Sequence, residues 1–240
     1  MSRIVVRKPD SIYQADGRIV NGTFHGRCHF SFDMYFDPEY MQFGTLRVFN
    51  DDTLSPGAVW PLHPHSEIEV VTYCAGGEFR HEDERGKGGI LKKGWVQHTT
   101  VGKGLMHSEI NNSEEEPMRF IQMWFIPFKK GLDPSVEQKA VKKEERTNRL
   151  LPLVSNKHPE TLPIASDAEV YSCFLAKGNV LKHEIKDGRG AYLYVLEGGT
   201  VKVNDKTVLT FGAAKALGKL ELIIRAEEDS ELLLMDVLFI

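Results

Sequence analysis

Two short stretches of the 240-residue chain carry side chains able to hold a metal ion. The first reads Gly57, five residues, His63-Pro64-His65, three residues, Glu69, six residues, Gly76. Successive side chains of an extended strand alternate faces, so His63 and His65 point to one side, close enough to share an ion. With unbroken alternation Glu67 and Glu69 face that side too. The second stretch is Gly104-Leu105-Met106-His107-Ser108-Glu109-Ile110-Asn111, where His107 and Glu109 again share a face. Bringing the two strands together puts three imidazoles and a carboxylate around one point. Such an N3O set suits a divalent first-row metal. On an octahedral ion such as Fe2+ four protein ligands leave two positions open for a substrate. Mn2+, Co2+, Ni2+, Cu2+ or Zn2+ would accept the same ligands, and the affinity order alone favours Cu2+. Spacing does not choose between Glu69 and Glu109 as the carboxylate.

The remaining histidines, His25, His29, His81, His98, His158 and His183, read as satisfied core or surface residues. His98 comes nearest to an exception because it lies close to the second stretch. Two same-face imidazoles inside a barrel are different, since without partners they would cost desolvation energy. Met106 and Trp124 read as wall or core.

The elements that must position these residues are short strands. Arg47 to Asp52, Glu67 to Tyr73 and Phe120 to Ile126 are rich in β-branched and aromatic residues. Asn50-Asp51-Asp52, Gly76-Gly77 and Gly86-Lys87-Gly88-Gly89 punctuate them. Hydrophobic residues make up 41% of the chain, enough for a sizeable core. Thirty basic against 34 acidic residues give a net charge of −4, which supplies no global pull toward nucleic acid or an anionic membrane. The longest clean apolar run, Phe120 to Phe128, is far short of the roughly 18 residues that span a bilayer. Met1 to Lys8 lacks the apolar core of a secretory signal. Cys28, Cys74 and Cys173 are odd in number and far apart, as expected of buried thiols in a cytoplasmic protein.

One stretch breaks the strand pattern. Residues 134–163 read as a charged linker with a short helix, and Lys142, Lys143 and Arg146 within it offer a docking patch for a protein partner. Beyond it, Ala191 to Val203 resembles Glu69 to His81: a strand, a Gly-Gly turn and another strand. Aligning Gly76-Gly77 with Gly198-Gly199 gives an offset of 122 residues (198 minus 76). The expectation is an all-β duplication: a metal-binding unit over 1–133, the linker, and a unit without metal over 164–240. At that offset His63 maps to Ile185, His65 to Asp187 and Glu69 to Ala191, so the second unit loses the ligands.

The first stretch resembles the first cupin motif over its full length. The second matches Gly104-x-x-His107-x-x-x-Asn111 of the second cupin motif, with Gly102 where a proline is usual. More closely, the chain resembles the pirin family. The resemblance rests on Phe43 to Asp52, His63-Pro64-His65, Glu78-Phe79-Arg80-His81-Glu82-Asp83 and Gly102 to Glu109, and covers about Asp33 to Lys139. Ser66-Glu67-Ile68 and Cys74-Ala75 depart from the commoner family residues. The resemblance implies a bicupin, two tandem double-stranded β-helix barrels, with one metal in the first, usually iron. By that resemblance the ligands are His63, His65, His107 and Glu109, and Glu69 becomes a supporting residue.

The resemblance further implies a quercetin 2,3-dioxygenase. Such an enzyme opens a flavonol with O2 and releases carbon monoxide and a depside, and Glu109 would also serve as general base. Two other readings stand beside it. One is a metal- or redox-dependent regulator that binds a transcription factor or a metabolic enzyme. The other is a different metal-dependent cupin enzyme, because a shared fold does not fix the reaction. The chain is expected to be monomeric, without direct nucleic-acid or membrane binding.

Overall fold

The computed structural model describes residues 3–239; Met1 and Ser2 of the N-terminal stretch, and Ile240, lie outside the described residues. Those residues form 21 strands and three short 3-10 turns, the all-β bicupin architecture expected. In the first unit a seven-stranded sheet runs Ser135–Lys139, Val96–Thr100, Glu69–Gly76, Met118–Phe125, Leu46–Leu54, Gly22–Cys28, Tyr13–Ile19. A four-stranded sheet faces it in the order Val59–His65, Leu105–Asn111, Glu78–Asp83, Gly88–Lys92. Leu54, Cys74, Met118 and Phe120 of the large sheet meet Phe79 and Leu91 of the small one. No helix among the described residues is long and apolar enough to cross a membrane.

The second unit repeats this plan. Its large sheet runs Arg3–Arg7, Ala213–Leu217, Arg189–Gly198, Ser230–Leu238, Ala168–Leu175, Leu151–Ser155. The small sheet runs Val180–Ile185, Leu220–Ala226, Val201–Val203, Lys206–Val208. Strand for strand the order matches the first unit, apart from its extra hairpin partner Tyr13–Ile19. The duplicated hairpins correspond through Gly77 and Gly198. Each has a positive φ (68° and 92°), and a Cβ there would come within 2.6 Å of Pro117 O and 1.9 Å of Asp229 O respectively. That correspondence is an offset of 121 (198 minus 77), one residue from the alignment of the glycine pairs. A sequence with two adjacent glycines does not reveal which of them takes the left-handed conformation.

Residues 134–163 are not a free linker. Ser135–Lys139 pairs with Val96–Thr100 in the first large sheet, and Leu151–Ser155 pairs with Ala168–Leu175 in the second. The short helix is one 3-10 turn, Lys143–Arg146. Composition hides these strands because an edge strand tolerates charges on its solvent side. Two of the three docking cations already have partners in the fold, Arg146 in the interior and Lys143 at the surface. Buried Arg146 pairs with Glu231 at 2.7 Å, and Lys143 Nζ lies 3.4 Å from the centre of the Phe174 ring.

The two large sheets lie back to back. Phe49, Val71, Tyr73, Ile121 and Phe125 of the first pack with Tyr192, Tyr194, Leu233 and Val237 of the second in one buried cluster. The interior of the second unit is itself filled by Leu181, Ile185, Leu193, Val203, Leu222 and Ile224.

Candidate metal centre

Val59–His65 is the edge strand of the small sheet of the first unit, which is why Pro61 and Pro64 are tolerated in it. Its neighbour Leu105–Asn111 pairs Leu105 with His65 and His107 with His63, then the register shifts so that Glu109 faces Trp60. Pro61 and Leu62 thus stand against Ser108 alone. Bulges of this kind bend a strand and re-aim its side chains, commonly beside active sites. In Leu105–Asn111 burial alternates: Leu105, His107, Glu109 and Asn111 point inward.

One nitrogen from each of His63, His65 and His107 lies within 4.8 Å of the other two. Each of two rings has its second nitrogen held by the protein. His63 Nδ1 is 2.8 Å from the Pro61 carbonyl, which can only accept, so the proton is on Nδ1 and Nε2 keeps its lone pair. His107 Nδ1 is 2.9 Å from His81 Nε2, while His107 Nε2 is buried and has no hydrogen-bond partner. Burial first, then His63, lowers the His65 pKa to about 4. Burial first, then His81, His63 and His65, lowers that of His107 to about 2. Both rings are therefore neutral near pH 7, the form a metal requires. The orphaned, buried His107 nitrogen, with nitrogens of His63 and His65 close by, fits a divalent cation.

The fourth expected ligand, Glu109, does not join that cluster. It is buried one inward position beyond His107, and its Oε1 accepts from Gln122 Nε2. Gln122 is oriented in turn by Trp124, whose indole N–H donates to Gln122 Oε1 at 2.8 Å and so leaves the amide N–H2 for the carboxylate. Burial pushes the Glu109 carboxyl up to about 8 in the metal-free protein, against the opposing effect of the Gln122 bond. Trp124 also forms the wall expected of it. Its ring meets His65 edge-on at 4.7 Å and Phe32 at 5.1 Å.

Glu69 faces away from this site. Glu67 adopts a positive φ of 57°, which breaks the alternation, and the chain passes from the small sheet to the large one before Glu69. Glu69 is fully buried between the two units, where its Oε2 accepts from His98 Nε2 (2.8 Å), Thr100 Oγ1 (3.0 Å) and the Ala165 amide (3.0 Å). Glu67 accepts from the Gly131 amide. Five other histidines have ordinary partners: His25 with Asp16, His29 with Tyr192, His98 with Glu69, His158 with Glu169 and His183 with Asp236. His81 is the exception, bonded to a member of the triad. Its inward alternation with Phe79 and Asp83 on one strand was the available signal. For Gln122 the signal was a polar residue within the apolar run from Phe120 to Phe125.

The pairing also corrects the expected map of the second unit. The Asn112 amide bonds to Glu78 O as the Glu227 amide bonds to Thr200 O, which aligns Asn111 with Ala226 and Phe79 with Val201. Glu109 then corresponds to Ile224, His107 to Leu222 and His81 to Val203. Across the ladder, His183 occupies the place of His63 and Ile185 that of His65, rather than Ile185 and Asp187. The bulge at Pro61 and Leu62 has no counterpart there, so the offset drifts along the strand. Of the four positions only His183 keeps a metal-ligating residue type, and its Nε2 lies 2.7 Å from Asp236 Oδ2.

The chain matches the family model Pirin over residues 13–125 and that of the quercetinase C-terminal cupin domain over residues 153–237. A pirin-like protein of Caulobacter vibrioides is 35% identical over 97% of this chain and 99% of its own length. A quercetin 2,3-dioxygenase of Escherichia coli strain K12 is 32% identical over 87% of this chain and 89% of its own. The crystal structure of the bacterial pirin YhhW of Escherichia coli in complex with nickel(II) is similar at a TM-score of 0.89 and 30% identity, covering 99% of this chain and 100% of that one.

Proposed function

The chain belongs to the pirin family, and from that premise we propose that it is a metal-dependent quercetin 2,3-dioxygenase, opening a flavonol with O2 and releasing carbon monoxide. The observation that carries this reading is the convergence of His63, His65 and His107 beside a buried carboxylate, Glu109. A divalent ion held by the three imidazoles, with Glu109 as fourth ligand, would supply Lewis acidity and lower the pKa of a flavonol hydroxyl. Iron is our choice of ion.

Every other part of the chemistry falls to the chain. Glu109, as the carboxylate, accepts the hydroxyl proton as general base. Gln122 and Trp124 hold that carboxylate in place. The His65–Trp124–Phe32 edge-to-face series gives a flat aromatic substrate an apolar wall. The regulatory alternative has less support, since Arg146 of its docking patch is buried against Glu231.

The test is metal quantification and quercetin loss under O2 on one preparation, with headspace carbon monoxide measured. One metal per chain, turnover with carbon monoxide release, and loss of both in His63→Ala are expected. Full metal content without turnover would overturn the dioxygenase reading and leave the metal site. Failure to take up any metal after anaerobic Fe2+ loading would overturn both.

A further inference from the structure

Beyond the expected ligands, one buried group touches the triad. His81 is 1% exposed and lies on Glu78–Asp83, which flanks Leu105–Asn111 on the side opposite Val59–His65. Its Nε2 is 2.9 Å from His107 Nδ1. The ring is confined: a Cβ on Gly88 would come within 3.0 Å of His81 Nδ1 and 1.9 Å of its carbonyl oxygen.

A neutral imidazole has one N–H and one lone pair. For His107 Nε2 to give its lone pair to a cation, the proton must sit on Nδ1, and that N–H needs an acceptor. His63 meets the same need with the Pro61 carbonyl. His107 meets it with an imidazole, which, unlike a carbonyl, is able to donate as well as accept. If His81 Nε2 donated instead, His107 would carry its proton on Nε2 and be blocked as a ligand. The histidine pair is confined to the unit with the triad. In the second unit Val203 and Leu222 occupy the places of His81 and His107.

We propose that His81 is a positioning residue that accepts the His107 Nδ1 proton, fixing the tautomer and ring orientation in which His107 ligates the metal. This rests on the reading of the triad as a metal site. Partners of this kind typically change metal affinity by about 10- to 100-fold.

The experiment uses metal-stripped full-length protein and Zn2+ as probe, titrated against a chromophoric chelator. Wild type is compared with His81→Leu, which has no acceptor, and His81→Gln, which places an amide oxygen near the lost Nε2. Expected is a Zn2+ affinity about 10- to 100-fold weaker in His81→Leu and largely restored in His81→Gln. Histidine 15N NMR of the Zn2+-loaded wild type should show the proton on His107 Nδ1 and a coupling across the hydrogen bond to His81 Nε2. That spectrum needs no variant, so it decides the matter even if His81→Leu does not fold. Equal affinity in wild type and His81→Leu, or a proton on His81 Nε2 in the Zn2+ form, would overturn the proposal. Wild type that binds no Zn2+ would instead overturn the reading of the triad beneath it.

Discussion

At the residue scale the site sets two kinds of buried group against each other. Burial raises the Glu109 carboxyl to about 8 and lowers His65 and His107. In the metal-free protein folded Glu109 keeps its proton longer than the unfolded chain does. Its contribution to stability is therefore full below about pH 4.5 and is lost as pH rises toward about 8. The imidazoles act in the opposite sense, losing stability as pH falls below about 6.5. Comparing metal-stripped wild type with Glu109→Gln cancels the histidine part. The stability advantage of Glu109→Gln should grow between about pH 5 and 8 and level off above that, read by urea unfolding at each pH. A gap that does not vary with pH would mean that the carboxyl ionises as an exposed one does. The HxH pair and the His107–Glu109 pair were legible in the sequence because alternation is local. That Glu109 is met by Gln122 was not, since their contact depends on which strands lie opposite.

One element that ties the two units together is the strand Met118–Phe125, through Arg119. Its guanidinium holds the fully buried Asp51 carboxylate with Nε at 2.7 Å and Nη2 at 2.6 Å, and Tyr194 of the second unit donates to the same carboxylate at 2.5 Å. Arg119 also donates to the Leu196 carbonyl at 3.0 Å, across the same seam. Removing one partner of a buried pair leaves the other charged and desolvated. Arg119→Met should therefore cost about 3–5 kcal/mol in denaturant unfolding. Adding Asp51→Asn should recover part of the loss, because the orphaned charge is then gone. A loss below about 1 kcal/mol would place the pair in the class of surface ion pairs. Nothing in the Asn50-Asp51-Asp52 cluster announces this role; in sequence it reads as the turn cluster closing the strand from Arg47, yet it lies within the strand Leu46–Leu54.

For the whole molecule the duplication is stricter in space than in sequence, and the units are not separable. Arg3–Arg7 completes the large sheet of the second unit through Ala213–Leu217, although it lies at the start of the chain. Ile4 and Val6 pack against the second core, and buried Arg7 donates to the His29 carbonyl. A fragment of residues 1–133 would expose Phe49, Val71, Tyr73, Ile121 and Phe125, together with an unpaired strand. Such a fragment should be insoluble or aggregate on size-exclusion chromatography, whereas the full chain should elute as a single discrete species. A monodisperse fragment with a cooperative thermal transition would show that the back-to-back packing is dispensable.

What the sequence determined by itself is what depends on neighbours along the chain. It specified the strand-rich class, the same-face imidazoles of His63 and His65, the inward pair His107 and Glu109, and the repeated Gly-Gly hairpin. Period-two alternation and glycine conformational freedom are local properties, so a linear reading captures them. The tertiary structure decided everything that requires two strands to meet. It turned Glu69 toward His98, put His81 beneath His107 and Gln122 beside Glu109, and drew residues 134–163 into both sheets. It also gave His183, not Ile185, the place of His63. A one-residue shift in a ladder changes which side chains share a face, and such shifts are set by bulges and by the packing of sheet on sheet, which no linear spacing encodes.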